Sequence, residues 1–476
     1  MKMKKLLLLL AFLATGRLQA QTCDYALSFP GFNSYVDCGP GSNFRAEGAL
    51  TVEAWINLPN TTTNQKIAGN IDPFTNSGFE LGIQNGGLYC EVKDTLGLHA
   101  FTAPTVPAGV WTHVAFTYRV SGRFRGYVNG IMVMDTTATN QFIGDNGTTN
   151  FRIGAAPWDP NYFVANGQID EVRVYDVERN ISQIRQDMHM ILTAPSSGLI
   201  GYWPFSEGTG TAVADHSGAN HNGTLSGTTL PTWQVSNGPY GEGLYSIQYG
   251  QGTTGTISLP IPGLNITSNM TAVSDTFVVS RITCAPGGTQ PTGSSTFNNG
   301  YWIVDRYGSS TPLTTTLDFF LPAGTVSAGD SAMPSNLRLY YRDRLSTGAW
   351  TNSLFATAAS ETFATVTFPF VSQYGQFMIG TNGNSTLGLT SLDNKNSFSI
   401  YPNPAVHECK LNLMNTTDAS SVISVMDLDG RMIKEITPVA GLKELIIDAS
   451  GLLPGIYQVV LNSTAGRHCE RLVVTN

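Results

Sequence analysis

Charge is scarce in this sequence: 13% of its 476 residues are Asp, Glu, Lys or Arg. Long solvent-facing helices, whose outer faces need such residues, are therefore not expected in number. With 26 basic against 34 acidic residues, and no cluster of Lys and Arg interleaved with aromatics, nucleic acid is excluded as a partner class. After Leu6–Ala14 no apolar run approaches the ~20 residues a helix needs to cross a bilayer, so no transmembrane segment is expected. Signatures of common chemistries are missing as well: H-E-x-x-H, G-x-S-x-G, G-x-x-x-x-G-K and Cys-x-x-Cys. Catalytic residues can still converge from distant loops, but an enzyme becomes the lesser expectation.

What is present is glycine, aromatic residues and short alternating runs, the composition of a β-rich extracellular chain. Met1–Ala20 has a basic start (Lys2, Lys4, Lys5), the apolar run Leu6–Ala14 and a polar step at Leu18-Gln19-Ala20. This reads as a secretory signal peptide, residues 1–20, cut before Gln21. The following Cys23 lacks the small-residue context of a lipid-modified cysteine.

Asn166–Met188, NGQIDEVRVYDVERNISQIRQDM, carries the clearest local pattern. Alternation puts Asp170, Val172 and Val174 on one strand face and Ile169, Glu171, Arg173 and Tyr175 on the other. One carboxylate is thus expected to share the core face, and adjacent Asp170 and Glu171 to point apart. Beyond the strand, Asn180 and Gln183 form a capping box, and Ile181, Ile184 and Met188 line one side of a short helix.

Upstream, Tyr25–Phe29, Ser34–Asp37, Thr51–Ile56, Phe79–Gln84, Leu88–Val92, Trp111–Tyr118, Arg123–Val128 and Ile131–Met134 read as strands, and Asn57–Gln65 as a polar loop. Asn85-Gly86 and Asn129-Gly130 supply the positive φ angles of tight hairpin turns. The segments ALSFPGFNSYVDCG, TVEAWI, WTHVAFTY, GYVNG and GQIDEVRVY, in that order, resemble the LamG-like jelly roll of the concanavalin A-like lectin and glucanase superfamily. The resemblance implies an all-β chain that begins, over 21–235, with a jelly-roll β-sandwich. Ser197–Gly227 is similar to the G-L-x-x-Y-W-P-F block found beside such domains, and Tyr202, Trp203 and Phe205 are expected in the core.

From 240 to 381 the chain is poor in charge and built of short alternating runs such as Thr276–Ile282 and Phe363–Phe368, which predicts a second β-sandwich. Tyr341–Arg344 reads as a solvated edge strand, where alternating charge protects a sheet edge. Residues 382–396 are small and polar, a flexible linker. In 397–476 the motifs FSIYPNP, VISVMDLDGR, LPGIYQVVL and RLVV resemble the type A C-terminal sorting domain of the Bacteroidetes type IX secretion system. That implies a small C-terminal β-sandwich, the type IX machinery as partner, and a secreted or outer-membrane-surface location.

Glycosidases of the superfold set their carboxylates close together as E-x-D-x-x-E on one strand, and no such run occurs. His113 lies mid-strand beside Trp111 and Ala115 and reads as packed rather than catalytic. Several jelly rolls of this superfamily hold calcium in rim loops, which makes Asp72 and Asp159 the candidate ligands here, with Ala155–Trp158 departing from the acidic cluster of the pentraxin pattern. In the loop before the closing strand, Trp158, Tyr162 and Phe163 offer faces for sugar stacking, and Asp159 and Asn161 offer hydrogen bonds. The expected function is that of a non-catalytic, adhesin-like binder of glycan or of a surface or matrix protein. A polysaccharide hydrolase or its accessory part is the alternative, and a structural surface component the third. Cys409 and Cys469 are expected to pair, Cys23 and Cys38 next, leaving Cys90 and Cys284 as thiols.

Overall fold

The computed structural model describes residues 24–475 apart from 47, 76, 95–96, 139–142, 144–148, 250–254, 260–261, 269–274, 288–290, 292–299, 309–312, 323, 382–397, 414–415, 418–420, 427–431 and 464–465. The signal peptide, Cys23 and the linker 382–396 lie outside the described residues.

Two antiparallel sheets of eight strands each enclose the first core. One runs in the order Ile131–Thr137, Arg123–Val128, Thr112–Arg119, Ala49–Asn57, Asn166–Tyr175, Tyr25–Pro30, Thr232–Val235, with Leu199–Trp203 also pairing to Asn166–Tyr175. The other runs Ala212–Val213, Gly223–Gly227, Ser34–Pro40, Asn150–Ile153, Gln65–Gly69, Phe79–Gln84, Gly87–Asp94, Gly97–Thr105. Their facing sides interdigitate through Phe29, Val52, Phe116, Ile169, Val172 and Val174 against Val36, Ile67, Leu81, Phe151 and Ile153. The segment after the helix supplies strands to both sheets, and its Trp203 stacks on Phe151 with ring centroids 5.3 Å apart. Tyr202, Trp203 and Phe205 are all buried.

Both hairpin turns form as the Asn-Gly pairs dictate, with φ of 51° and 86° at Asn85-Gly86 and 51° and 70° at Asn129-Gly130. The capping box at Asn180 and Gln183 is present at the helix Ile181–Asp187, which buries Ile184 and Met188. Gln65, read as the last residue of a polar loop, instead opens Gln65–Gly69, a central strand of the second sheet. The alternation read for Asn166–Tyr175 is corrected by a bulge. Ile169 opposes Ile56 and Asp170 opposes Trp55, but Arg173 opposes Glu53, and Glu171 has φ +52°. The extra residue turns Asp170 and Glu171 together onto the outer side of the sheet, away from the jelly-roll core.

That outer side is covered. Met188–Ile191 and Tyr240 lie across it, and the middle sandwich packs behind them. Glu53, buried, meets Arg179 at 3.1 Å and Arg173 at 3.5 Å, and Arg173 also holds Glu171 and the Asp187 carbonyl. His113 packs edge-on to Trp55 at 5.5 Å. Burial first, then the charges of Arg173, His189 and Arg179, push its pKa well below the usual value, so it sits as a neutral packed ring.

The middle unit has a six-stranded sheet (Gly243–Tyr249, Thr276–Ile282, Tyr301–Tyr307, Gly375–Thr381, Leu337–Asp343, Thr351–Phe355) and a five-stranded one (Gly255–Leu259, Leu264–Ser268, Thr315–Phe320, Thr365–Val371, Ala358–Ser360). Leu337–Asp343 is an interior strand, which overturns its reading as a solvated edge. Arg342 is buried, donates to Gln376 Oε1 and the Gly287 carbonyl, and stacks on Trp350; Arg344 pairs with Asp305 at 3.2 Å.

The C-terminal unit pairs a three-stranded sheet (Phe398–Tyr401, Glu408–Leu413, Glu444–Asp448) with a four-stranded one (Met432–Ile436, Val422–Met426, Gly455–Ser463, Gly466–Val474). Cys409 is on the first sheet, opposite Ile447, and Cys469 on the second, opposite Val460. Cys409 is a buried free thiol, so the expected Cys409–Cys469 bond is not formed: its side chain is part of the small hydrophobic core. Cys38 and Cys90 are free and buried as well, which removes the Cys23–Cys38 pairing. Cys284 is disulfide-bonded rather than a free thiol.

Candidate functional site

The outer side of the second jelly-roll sheet carries a different set of residues. Alternation along its strands turns Tyr35, Arg152, Lys66, Glu80, Tyr89 and Glu91 away from the core. Lys66 and Glu80 form a buried ion pair. The Lys66 Nζ lies 4.4 Å from the Tyr89 ring centroid, and the Tyr89 hydroxyl donates to Glu91 Oε2 at 2.6 Å. The Arg152 guanidinium stacks 4.7 Å from the Tyr35 ring. Glu80 and Glu91 stand directly opposite each other on neighbouring strands. Burial raises the Glu80 carboxyl to about 7, with the Lys66 charge opposing and Glu91 adding to the rise.

The loop before the closing strand lies beside this surface. Its base is fixed by Gly154, which donates to the Ile67 carbonyl (2.9 Å) and accepts from Ala165 (2.7 Å). Gly154 has φ +91°, and a Cβ there would sit 2.3 Å from the Phe29 ring, so only glycine fits. Inside the loop, Asp159 Oδ1 accepts from both the backbone and the side-chain amide of Asn161 at 2.9 Å, and Tyr162 N donates to the Asp159 carbonyl. Asn161 Oδ1 accepts from Asn33 Nδ2 at 2.6 Å, and the Phe163 carbonyl accepts from Lys66 N at 2.7 Å.

The polar groups are thus spent on fixing the loop, and the aromatics are left outward. Tyr162 is 56% exposed and Phe163 37%, Trp158 is half-buried, and none of the three belongs to a hydrophobic core cluster. Phe163 rests edge-on against both Trp158 (6.4 Å) and Tyr162 (6.1 Å), while the Lys66 Nζ lies 5.4 Å from Phe163 and 5.9 Å from Trp158. The arrangement offers apolar ring faces next to an ammonium, carboxylates and amides, the combination that holds a polar ligand with C–H faces.

The structure therefore brings Trp158, Asp159, Asn161 and Tyr162 into one loop, as the sequence suggested. It adds Lys66, Tyr89, Glu80 and Glu91, which come together only through the register of Gln65–Gly69, Phe79–Gln84 and Gly87–Asp94. The signal was the alternation Lys66, Glu80, Tyr89 and Glu91 across three neighbouring strands, invisible until register is known. Asp72, the other candidate calcium ligand, is buried, and its Oδ1 accepts from Phe74 N in its own turn. Among the described residues neither Asp72 nor Asp159 joins a group of three acidic, His or Cys ligands.

The fold and this surface define a β-sandwich protein with a concanavalin A-like jelly roll and a C-terminal secretion-sorting unit. Residues 30–185 match the family of the concanavalin A-like lectin/glucanases superfamily, and residues 399–475 match the secretion system C-terminal sorting domain. No curated protein matches the chain. Among solved structures, a Bacteroides ovatus protein assigned to carbohydrate binding is similar at 24% identity and TM-score 0.38, over 46% of this chain. This chain spans 62% of that protein's length. The CBM40 of a Ruminococcus gnavus sialidase, bound to α2,3 sialyllactose, is similar at 14% identity and TM-score 0.29, covering 34% of this chain and 97% of its own. Domains LG4-5 of the mouse laminin α1 chain are similar at 14% identity and TM-score 0.27, covering 78% and 85%. Among the described residues no helix is long and apolar enough to cross a membrane.

Proposed function

We propose that this chain is an exported, non-catalytic binding protein whose jelly roll holds glycan on the surface formed by Trp158, Tyr162, Phe163, Lys66 and Tyr89. The observation that carries this reading is the outward aromatic group on a loop whose polar side chains are all engaged in holding its shape. Sugar rings present C–H faces that stack on such aromatics, and hydroxyls that pair with ammonium and carboxylate groups. Asp159 and Asn161 act here by shaping the loop and offering their remaining lone pairs and N–H groups.

Hydrolysis is the second reading, and the cross-strand pair Glu80 and Glu91 is what favours it. Retaining glycosidases use two carboxyl groups about 5 Å apart, one with a raised pKa. Glu80, however, is fully buried under its ion pair with Lys66, out of reach of a substrate. Binding on a glycan array without release of reducing sugar supports the first reading; release that stops in Glu80→Gln supports the second. Attachment to cells or matrix with no glycan bound supports a structural role.

For location, the sorting unit is read as the address for export through the type IX route. A chain lacking 397–476 is expected to fold and stay in the periplasm, detected by fractionation and protease shaving. Normal surface display of that truncation contradicts the sorting role.

A further inference from the structure

The outermost strand of the six-stranded sheet, Gly243–Tyr249, is an unguarded edge. It pairs with Thr276–Ile282 at all seven of its positions without a bulge, and its sequence, GLYSIQY, has neither charge nor proline. Edges of this length ordinarily carry one of those guards, because a flat row of free N–H and C=O groups is a template for another strand. Other edges of this molecule do carry them. Ile131–Thr137, at the edge of the first jelly-roll sheet, is bulged and holds Asp135 in ion pairs with Arg123 and Arg125. Thr351–Phe355, at the opposite edge of the six-stranded sheet, has five residues and a register shift.

Thr283 N donates to the Glu242 carbonyl at 2.9 Å, which makes these two residues a hydrogen-bonded pair. The antiparallel ladder alternates from there, so Leu244, Ser246 and Gln248 bond to Thr276–Ile282, and the N–H and C=O groups of Gly241, Gly243, Tyr245 and Ile247 point the other way. Gly241 is met by the chain itself: it donates to the His189 carbonyl at 3.1 Å and accepts from Ile191 N at 3.0 Å, in a parallel bridge with Met190. The pairing then stops, because Leu192 N donates to the Tyr202 hydroxyl instead. The backbone groups of Gly243, Tyr245 and Ile247 that follow on the edge have no partner among the described residues. Where the two segments part, a groove of about 860 Å³ opens between the strand and residues 190–194, with Gln458 of the C-terminal unit at its border. Asp187 brings the one carboxylate in its lining, and Arg179 holds it.

We propose that this groove binds an extended, uncharged segment of a partner protein, which adds to Gly243–Tyr249 as a further strand. The unpaired N–H and C=O groups recur at every second residue, a spacing that a peptide backbone matches and a sugar does not. The partner segment takes up the line that residues 189–191 begin at Gly241 and then abandon. The wall at 190–194 leaves room for one strand and keeps out the edge of a second sheet, so a second copy of this chain is not the occupant. No free charge lines the groove, while Leu244 is 43% exposed on the strand and Met190, Ile191 and Leu192 stand on the wall, which suits apolar and small polar side chains. The site belongs to the middle sandwich and its junction, and it stands whether or not the aromatic loop 157–163 binds glycan.

The test pans a displayed library of random peptides against the mature full-length protein and measures the enriched peptides, made synthetically, by fluorescence anisotropy. Each is also made with one or the other alternate set of its amides N-methylated. Only one set of N–H groups faces the protein in an added strand, so one N-methylated form is expected to bind about tenfold more weakly or worse, and the other to bind as the parent peptide does. On the protein, Ile247→Pro removes an outward N–H at a place where an edge strand tolerates proline, and Ile247→Ala removes the side chain and keeps the N–H. Binding is expected to fall about tenfold in Ile247→Pro and by less than about threefold in Ile247→Ala. Failure of any peptide to enrich, equal binding by Ile247→Pro and the parent, or equal effects of the two N-methylated sets overturns the proposal. A concentration-dependent dimer that Ile247→Pro abolishes assigns the edge to a second copy and overturns it as well. Should Ile247→Pro fail to fold, the two N-methylated sets on the parent protein decide on their own.

Discussion

Arg173 shows how one side chain can hold a region together. It is 1% exposed, holds Glu171, approaches Glu53 at 3.5 Å, donates to two backbone carbonyls and lies over the Tyr202 ring. Removing one partner of a buried ion pair leaves the other charge stranded, at a cost of about 3–5 kcal/mol. Arg173→Ala is expected to lose that much in urea unfolding, and a loss under about 1 kcal/mol would contradict its central place. Alternation in the sequence sets Arg173 opposite Val172 and Val174, as the structure has it, but puts Asp170 with them on the core face, where the bulge overturns it. A bulge is a local choice between two registers with the same residues, decided by what packs on either side, and single-sequence periodicity carries no sign of it.

At the scale of elements, local signals were the legible ones. Both Asn-Gly turns, the capping box and the closing strand were visible, because each is set by residues within a few positions of one another. Gln65–Gly69 was not: it begins QKIAG after a run of Thr and Asn, and its strand character comes from neighbours on both sides. The helix Ile181–Asp187 is too short to stand alone, so its cap and its buried Ile184 carry it. Asn180→Ala removes the acceptor for Gln183 N and is expected to cost about 1 kcal/mol. Chemical denaturation measures this; no change would mean that packing alone sets the helix start.

Across the whole molecule, the jelly roll and the middle sandwich share a polar junction. His189 bridges the Pro239 carbonyl and Asp305 Oδ2 (2.8 Å), Arg344 reaches Asp305 from the other side, and Arg185 stacks 3.8 Å over Tyr307. Burial raises the Asp305 carboxyl, but the charges of His189 and Arg344 and their hydrogen bonds more than offset it, bringing it down to about 2. A carboxyl lowered on folding stabilises the protein above its unfolded pKa near 4 and loses that contribution as pH falls toward 2. The amount is roughly 2 kcal/mol. Asp305→Asn is expected to be less stable at neutral pH and to show a flatter acid limb between about pH 4 and 2 in unfolding curves; an unchanged limb would remove the junction from acid stability. The two-unit junction itself was not foreseeable, since it depends on how separate sandwiches dock.

On the proposed function, the outward aromatics of the 157–163 loop bind glycan and do not serve the core. The direct measurement is a glycan titration of Trp158→Ala, using a glycan that binds the parent on an array, run beside its thermal melt. Binding is expected to weaken by about 1–3 kcal/mol, the range of an interface aromatic, with little change in melting temperature. A protein that melts well below the parent yet binds with unchanged affinity would show Trp158 to be a cap on the sandwich, and would contradict the assignment of this surface.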